Sequence, residues 1–234
     1  MDTVKQIRIF EIEGSASTGK TASVAVEQAV HIHVNGQRRA VLTATPQHLK
    51  ELALGYLLST GLIRGLADIS RLTSDADFRA VWVEAACNEL PLVPVSDDLR
   101  VQPADIFHNM EQFLCASAVF FATGAVHSCA LMVGGQLLHF MEDIGRHNAF
   151  DKTVGAALYE KKPLDRAVIL TTGRVPGDMM TKVIYSRSQI IVSHAAPTDA
   201  AVELALRYNV TLCGFARGRR INIYTGGHRI QYDS

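Results

Sequence analysis

The sequence predicts an α/β protein: a mixed, largely parallel sheet with flanking helices, preceded by a smaller N-terminal α+β region. Three observations carry this. Strand-like and helix-like segments alternate from residue 136 onward, apolar residues alternate singly over 5–42, and a proline-containing stretch at 88–103 separates the two patterns. The boundary is placed so that 1–98 forms the smaller region and 99–234 the larger domain.

In chain order, Ile7/Ile9, Val24/Val26 and Val30/Ile32/Val34 read as antiparallel strands, with Asn35-Gly36 as a tight hairpin turn before a strand through Val41. Thr45-Pro46 reads as an N-cap and first-turn proline, and Leu49, Leu52, Ala53, Tyr56 and Leu57 fall at helical spacing until Gly61. A strand is expected over 79–86 and a loop over 88–103. One helix over 104–121 follows from the spacing of Ile106, Met110, Phe113, Leu114 and Phe121. A hairpin over 126–133 and 136–141 turns at Gly134-Gly135. Helices at 148–160, 176–187 and 197–208 then alternate with strands at 166–171, 189–193, 210–215 and 221–225.

The 234 residues include 48% apolar ones, enough for a substantial core. Lys plus Arg (23) balances Asp plus Glu (23), so no overall field draws the chain to nucleic acid or to an anionic membrane, and any anion site is local. Met1 to Gly14 lacks an apolar core and does not read as a signal peptide, and the longest apolar run, 113–122, is broken by Ser117. A cytoplasmic protein is expected. Four cysteines without a CxxC signal neither a disulfide framework nor a zinc site.

The most informative stretch is Glu142-Asp143-Ile144-Gly145-Arg146-His147-Asn148-Ala149-Phe150-Asp151-Lys152, seven polar or charged side chains in eleven residues between a strand and a helix. Capping a helix takes one or two such residues, and a strand-to-helix junction is where α/β proteins bind ligands. Three further polar turns also follow strand candidates: Thr123–His127, Thr171–Asp178 and Ser193–Thr198. Their glycines admit close backbone approach and their helix starts favour an anion. Phe215-Ala216-Arg217-Gly218-Arg219-Arg220 adds guanidinium forks suited to phosphate or a guanine edge, or else forms a solvated basic turn.

Two patterns are weighed and set aside. Gly14–Thr21 satisfies GxxxxGKT, but the segment after it alternates like a strand where a P-loop opens a helix, so a nucleotidase is kept only as an alternative. His31 and His33 share a strand face without a third ligand at metal-site spacing, and no metal site is assigned.

With these residues in hand, the chain resembles the FdhD/NarQ family of formate dehydrogenase accessory proteins. The resemblance runs through Val24-Ala25-Val26-Glu27, Val34-Asn35-Gly36, the helix ending at Gly61, Thr123-Gly124-Ala125-Val126-His127, the 142–152 run, Gly173-Arg174-Val175, Ala196-Pro197-Thr198 and Gly214-Phe215-Ala216-Arg217, over roughly residues 24–230. It implies a larger part similar to the cytidine deaminase-like fold, a homodimer, and maturation of the molybdenum (or tungsten) bis-molybdopterin guanine dinucleotide cofactor of formate dehydrogenase. GDP would be a partial ligand. Cysteine desulfurase and the formate dehydrogenase catalytic subunit are the implied partners, with sulfur carried as a cysteine persulfide. The implied cofactor-binding residues are His127, Asp143, Arg146, His147, Asp151, Lys152, Gly173, Arg174, Thr198, Phe215, Ala216, Arg217, Gly218, Arg219 and Arg220. The deaminase signatures HxE and PCxxC are absent.

The family's CGxCG-like element is also absent. Cys87 precedes the proline-rich loop and is the persulfide candidate, whereas Cys115, in a helix pattern, and Cys129 and Cys213, in strand patterns, are expected to be buried. A carrier that binds the cofactor without moving sulfur is the alternative.

Overall fold

Two apolar clusters set the layering, one on each face of a six-stranded sheet. The computed structural model describes residues 2–77 and 79–231. The sheet runs in the order β12-β11-β10-β9-β7-β8, with β7 at His127–Val133, β8 at Gln136–Asp143, β9 at Ala167–Thr171, β10 at Ile190–Ser193, β11 at Thr211–Arg217 and β12 at Arg220–Thr225. Strands β9, β10 and β11 are parallel, and β7, β8 and β12 antiparallel. The sheet is therefore half parallel, because each side of the parallel core ends in a hairpin instead of another crossover helix.

One face carries α4 (Arg146–Tyr159), α5 (Gly177–Tyr185) and α6 (Asp199–Arg207), which enclose Leu131, Ile169 and Ile191. The other carries α2 (Pro103–Cys115), whose Ile106, Met110 and Phe113 cover Ala130, Val168 and Val192. Buried residues on both faces explain why β9 and β10 read as continuous apolar runs.

A second sheet, order β4-β3-β6-β5, comprises β3 (Gln28–Val34), β4 (Gln37–Ala44), β5 (Ile69–Ser74) and β6 (Ala80–Ala85). Val30, Ile32 and Val34 bury one face against α1 (Leu49–Ser59), and Asn35 and Gly36 both take positive φ (49° and 79°), as the Asn-Gly hairpin predicts. Helix α1 crosses α4 at contact distance. A Cβ on Gly55 would meet the Asp151 carbonyl oxygen at 1.8 Å, and one on Gly155 that of Glu51 at 1.8 Å. The larger apolar cluster consequently includes residues from both sides of position 98.

Several local expectations are corrected. The strands expected over 5–42 divide into β3–β4 and a separate two-stranded ribbon, β1 (Val4–Glu13) with β2 (Ala16–Ala25). The GxxxxGKT stretch lies in that ribbon, with Gly14 at the turn in the left-handed region and Lys20 of β2 paired to Glu11 of β1, so this stretch forms no P-loop. Thr45 does not cap α1, since the N-cap is His48 at φ 56°. The helix over 104–121 stops at Cys115, and a short α3 (Ala118–Thr123) restarts after Ser117. The Ser117 hydroxyl donates to Glu142, whose carboxylate also accepts the Val119 and Phe120 N–H groups at 3.4 and 3.3 Å and so starts the new turn.

Candidate functional site

The polar turns meet at one edge of the six-stranded sheet. The carboxyl ends of β9, β10 and β11, the start of β7 and the end of β8 all face this edge, because β7 runs antiparallel to both neighbours. Ligands in open α/β sheets bind there. A cavity of about 450 Å³ opens at this position, lined by Ser117, Phe120, His127, Ser128, Thr172 and His194 among others.

His127 begins β7, and its Nδ1 lies 3.4 Å from the Thr172 hydroxyl. Burial, then the charges of Arg146, Arg174 and His147, hold its pKa below the ordinary histidine value. Those causes also locate the cations: four basic side chains share one small region of the edge. Arg146 is half-buried at the start of α4, and its Nε is buried without a partner. Its stem crosses Gly173, where a Cβ would stand 2.8 Å from the arginine Cβ, so glycine is required there for Arg146 to reach its place. His147 Nε2 is 3.2 Å from an Asp178 oxygen. That contact is an ion pair by distance without good hydrogen-bond alignment, which agrees with His147 Nε2 lacking a hydrogen bond. Burial works to raise Asp178, but His147, the Met179 N–H that this carboxylate accepts at 2.8 Å, and Arg146 together outweigh it and hold the carboxyl below its ordinary value. Arg217 lies over the Phe215 ring, 5.8 Å from its centroid, and donates from Nε to the His194 carbonyl at 3.4 Å. Burial, then Arg217, lowers the pKa of His194. An anion entering this region would relieve crowded positive charge.

Other residues expected at the site lie elsewhere. Asp143, Asp151 and Lys152 are fully buried and cannot line an open cavity. Lys152 Nζ pairs with Asp143 at 2.6 Å, and the same carboxylate accepts the Thr45 N–H at 3.0 Å and hydroxyl at 3.1 Å. Asp151 accepts from Lys182 at 2.8 Å and from Ser59 at 2.6 Å. Burial pushes Asp151 up and Lys152 down, and their ionic partners oppose both shifts. The dense run thus divides: Arg146 and His147 at the start of α4 reach the edge, while Asp143 at the end of β8, with Asp151 and Lys152 of α4, ties α4 to α1, α5 and the segment before α1.

Thr198 caps α6 through its hydroxyl, which accepts the Ala201 N–H at 3.4 Å. Ala216 is core, and Arg220 is exposed on β12 opposite Arg217. Gly218 and Arg219 line a neighbouring cleft of about 580 Å³ between α2 and the β11–β12 turn. Cys115 lines the same cleft and is exposed, contrary to expectation, because α2 ends there with its apolar face turned away. Leu114 belongs to both the cleft and the cavity, so the two adjoin. Cys87 is exposed in a different cleft with Asn35, Arg38 and Arg39. Cys129 and Cys213 are buried as expected, and burial pushes each thiol up to about 12. Ser117, Thr172 and His194 were not among the expected binding residues, although Thr172 and His194 lie in polar turns that the sequence singled out and Ser117 breaks an apolar run.

Fold and site together define a mixed α/β protein with a cavity at the carboxyl edge of its parallel strands and a cluster of basic side chains around the His127 that lines it. The chain belongs to the FdhD/NarQ family, whose model matches residues 25–93 and 86–231. It is 32% identical to the sulfur carrier protein FdhD of Listeria innocua, over 98% of this chain and 100% of that one. It is 36% identical to the protein of the same name from Methanothermobacter thermautotrophicus, over 86% and 88% of the two chains. Its structure resembles that of a putative formate dehydrogenase accessory protein from Desulfotalea psychrophila with a TM-score of 0.90 at 27% identity, covering 98% and 100% of the two chains. Among the described residues, no helix is long and apolar enough to cross a membrane.

Proposed function

We propose that this protein serves formate dehydrogenase maturation by binding the guanine dinucleotide form of the molybdenum or tungsten cofactor as cargo and transferring sulfur to it from a cysteine desulfurase. The observation that carries the reading is the cation cluster at the sheet edge, with its buried, unpartnered Arg146 Nε. A pyrophosphate supplies the charge and the acceptors such a cluster lacks. Arg146, Arg174 and His147 hold the phosphates, and Arg217, stacked on Phe215, meets the guanine or its phosphate. GDP is the smallest probe that carries both groups.

Of the two exposed thiols, Cys115 is the one whose cleft adjoins the cavity, and it carries the sulfur in this reading. Its thiolate attacks the terminal sulfur of the donor persulfide, the donor departs as a cysteine thiolate that takes up a proton, and Cys115 retains the sulfane sulfur without net oxidation. Incubation with a desulfurase and cysteine, followed by alkylation and mass spectrometry, tests this. The persulfide should map to the Cys115 peptide, persist in Cys87→Ser and vanish in Cys115→Ser. A persulfide on Cys87 alone would return the role to that residue. GDP binding with no persulfide on either thiol would favour the carrier reading, which the missing CxxC supports.

A further inference from the structure

A second cavity, of about 490 Å³, lies at the opposite end of the six-stranded sheet from the site described above. Its size is that of pockets which hold ligands, roughly 300–1,000 Å³. Pro163, Leu164 and Asp165 lead into β9 and Arg187 into β10, so these walls stand at the amino ends of the parallel strands. Three helices finish here: Leu58 of α1, Leu158 of α4 and Ile184 of α5 form an apolar floor with Ile63. Another wall is the stretch from Leu90 to Val93, which belongs to neither helix nor strand. It is tied at both ends, by the Leu90 N–H to the Gly61 carbonyl at 3.0 Å and by the Val95 N–H to the Tyr208 carbonyl at 3.0 Å. Between these ties the Leu92 and Val93 N–H groups reach no acceptor among the described residues. Pro91 and Pro94 favour an extended backbone at the residues before them, Leu90 and Val93.

Charge around this cavity is uneven. Lys162 and Arg187 are exposed and have no side-chain partner among the described residues, Arg64 is held by Asp68 at 2.7 Å, and Asp165 is the one acid on the walls. Arg187 also takes φ 63°, the left-handed conformation in which a helix end ordinarily has glycine. An arginine stands there against its backbone preference. An extended peptide answers all of these features together: its backbone carbonyls meet the Leu92 and Val93 N–H groups, an aliphatic side chain fills the floor, and a carboxylate beside it meets Lys162 and Arg187. We propose that this cavity is a docking groove for an extended, acidic, leucine-bearing segment of a partner protein, at the end of the molecule opposite the cation cluster. This inference stands apart from the cargo and the sulfur chemistry.

The probe is the peptide acetyl-Glu-Leu-Glu-Leu-Glu-amide, with acetyl-Lys-Leu-Lys-Leu-Lys-amide as its charge-reversed counterpart. Added to the isotope-labelled full chain, the acidic peptide should shift the Leu92, Val93 and Arg187 amide resonances with half-saturation at or below about 1 mM, and equally so with GDP present. The lysine peptide should leave them in place. Lys162→Ser and Arg187→Gly should each weaken binding of the acidic peptide at least fivefold. Cations at helix ends also complement the helix dipole, and Arg187→Gly separates the two roles. Its melting temperature should be unchanged or higher, since glycine adopts the left-handed turn without steric cost. Half-saturation above about 1 mM, equal binding of the two peptides, or wild-type affinity in both variants overturns the proposal. Lower melting of Arg187→Gly with unchanged affinity would assign that cation to the end of α5 alone and overturn it too. Decanoate shifting the same resonances where the acidic peptide does not would replace the partner segment with a small amphiphile.

Discussion

Arg146 and Lys152 lie six residues apart on one helix and are expected to fail in opposite ways. Lys152→Met leaves Asp143 as a buried carboxylate without its cation, which should cost about 3–5 kcal/mol of stability, read by urea unfolding. Arg146→Ala removes a half-buried side chain whose Nε has no protein partner, so melting should change little while GDP affinity in calorimetric titration falls by about 1.5–3 kcal/mol. Equal loss of affinity in a still-folded Lys152→Met would contradict this division. Protons give a second reading at the same scale. His48, His127 and His194 all have pKa values below the ordinary one, with burial the largest cause in each case. The unfolded chain therefore takes up more protons than the folded one as pH falls through about 6.5, and stability drops on acidification. The ligand-free protein should melt progressively lower from pH 7.5 to 5.5. A bound phosphate should reduce that loss and draw a proton onto His127, which titrations in buffers of different ionisation enthalpy would register.

At the scale of elements, the crossing of α1 on α4 leaves no room for a methyl group. Gly55→Ala should destabilise the protein by about 3 kcal/mol or more, since the obstruction is a backbone carbonyl and cannot rotate aside. Such crowding has no local signature, although the helices themselves did: α1, α5 and α6 follow from apolar spacing and end near the glycine, proline and threonine signals that bound them. Strand β5 was missed because Ile-Ser-Arg-Leu-Thr-Ser is a short edge strand with little to distinguish it from a loop. The break at Ser117 was illegible as a helix end, because apolar spacing runs through it and the carboxylate responsible is 25 residues downstream. Within the dense polar run, sequence marked the junction where Arg146 and His147 stand near His127 but could not separate them from the residues that are buried. The partner that buries Asp143 and Lys152 is Thr45, 98 and 107 residues away respectively.

Across the whole molecule, the division at residue 98 is one of sequence pattern more than of packing. The larger apolar cluster draws Val30, Ile32 and Leu57 together with Phe150, Ile169 and Val183, so the two stretches should unfold in one transition. Urea titrations followed by Trp82 fluorescence, which reports on β6, and by far-ultraviolet circular dichroism should coincide. Two separated midpoints would show that the stretches fold independently. The Asp143–Lys152 brace adds a practical consequence. The eleven-residue run is not a portable cassette: moved to another α/β scaffold without Thr45, Ser59 and Lys182, it would carry two buried carboxylates short of donors and a lysine short of acceptors. A graft of this site has to begin more than a hundred residues upstream of the histidine it means to transplant.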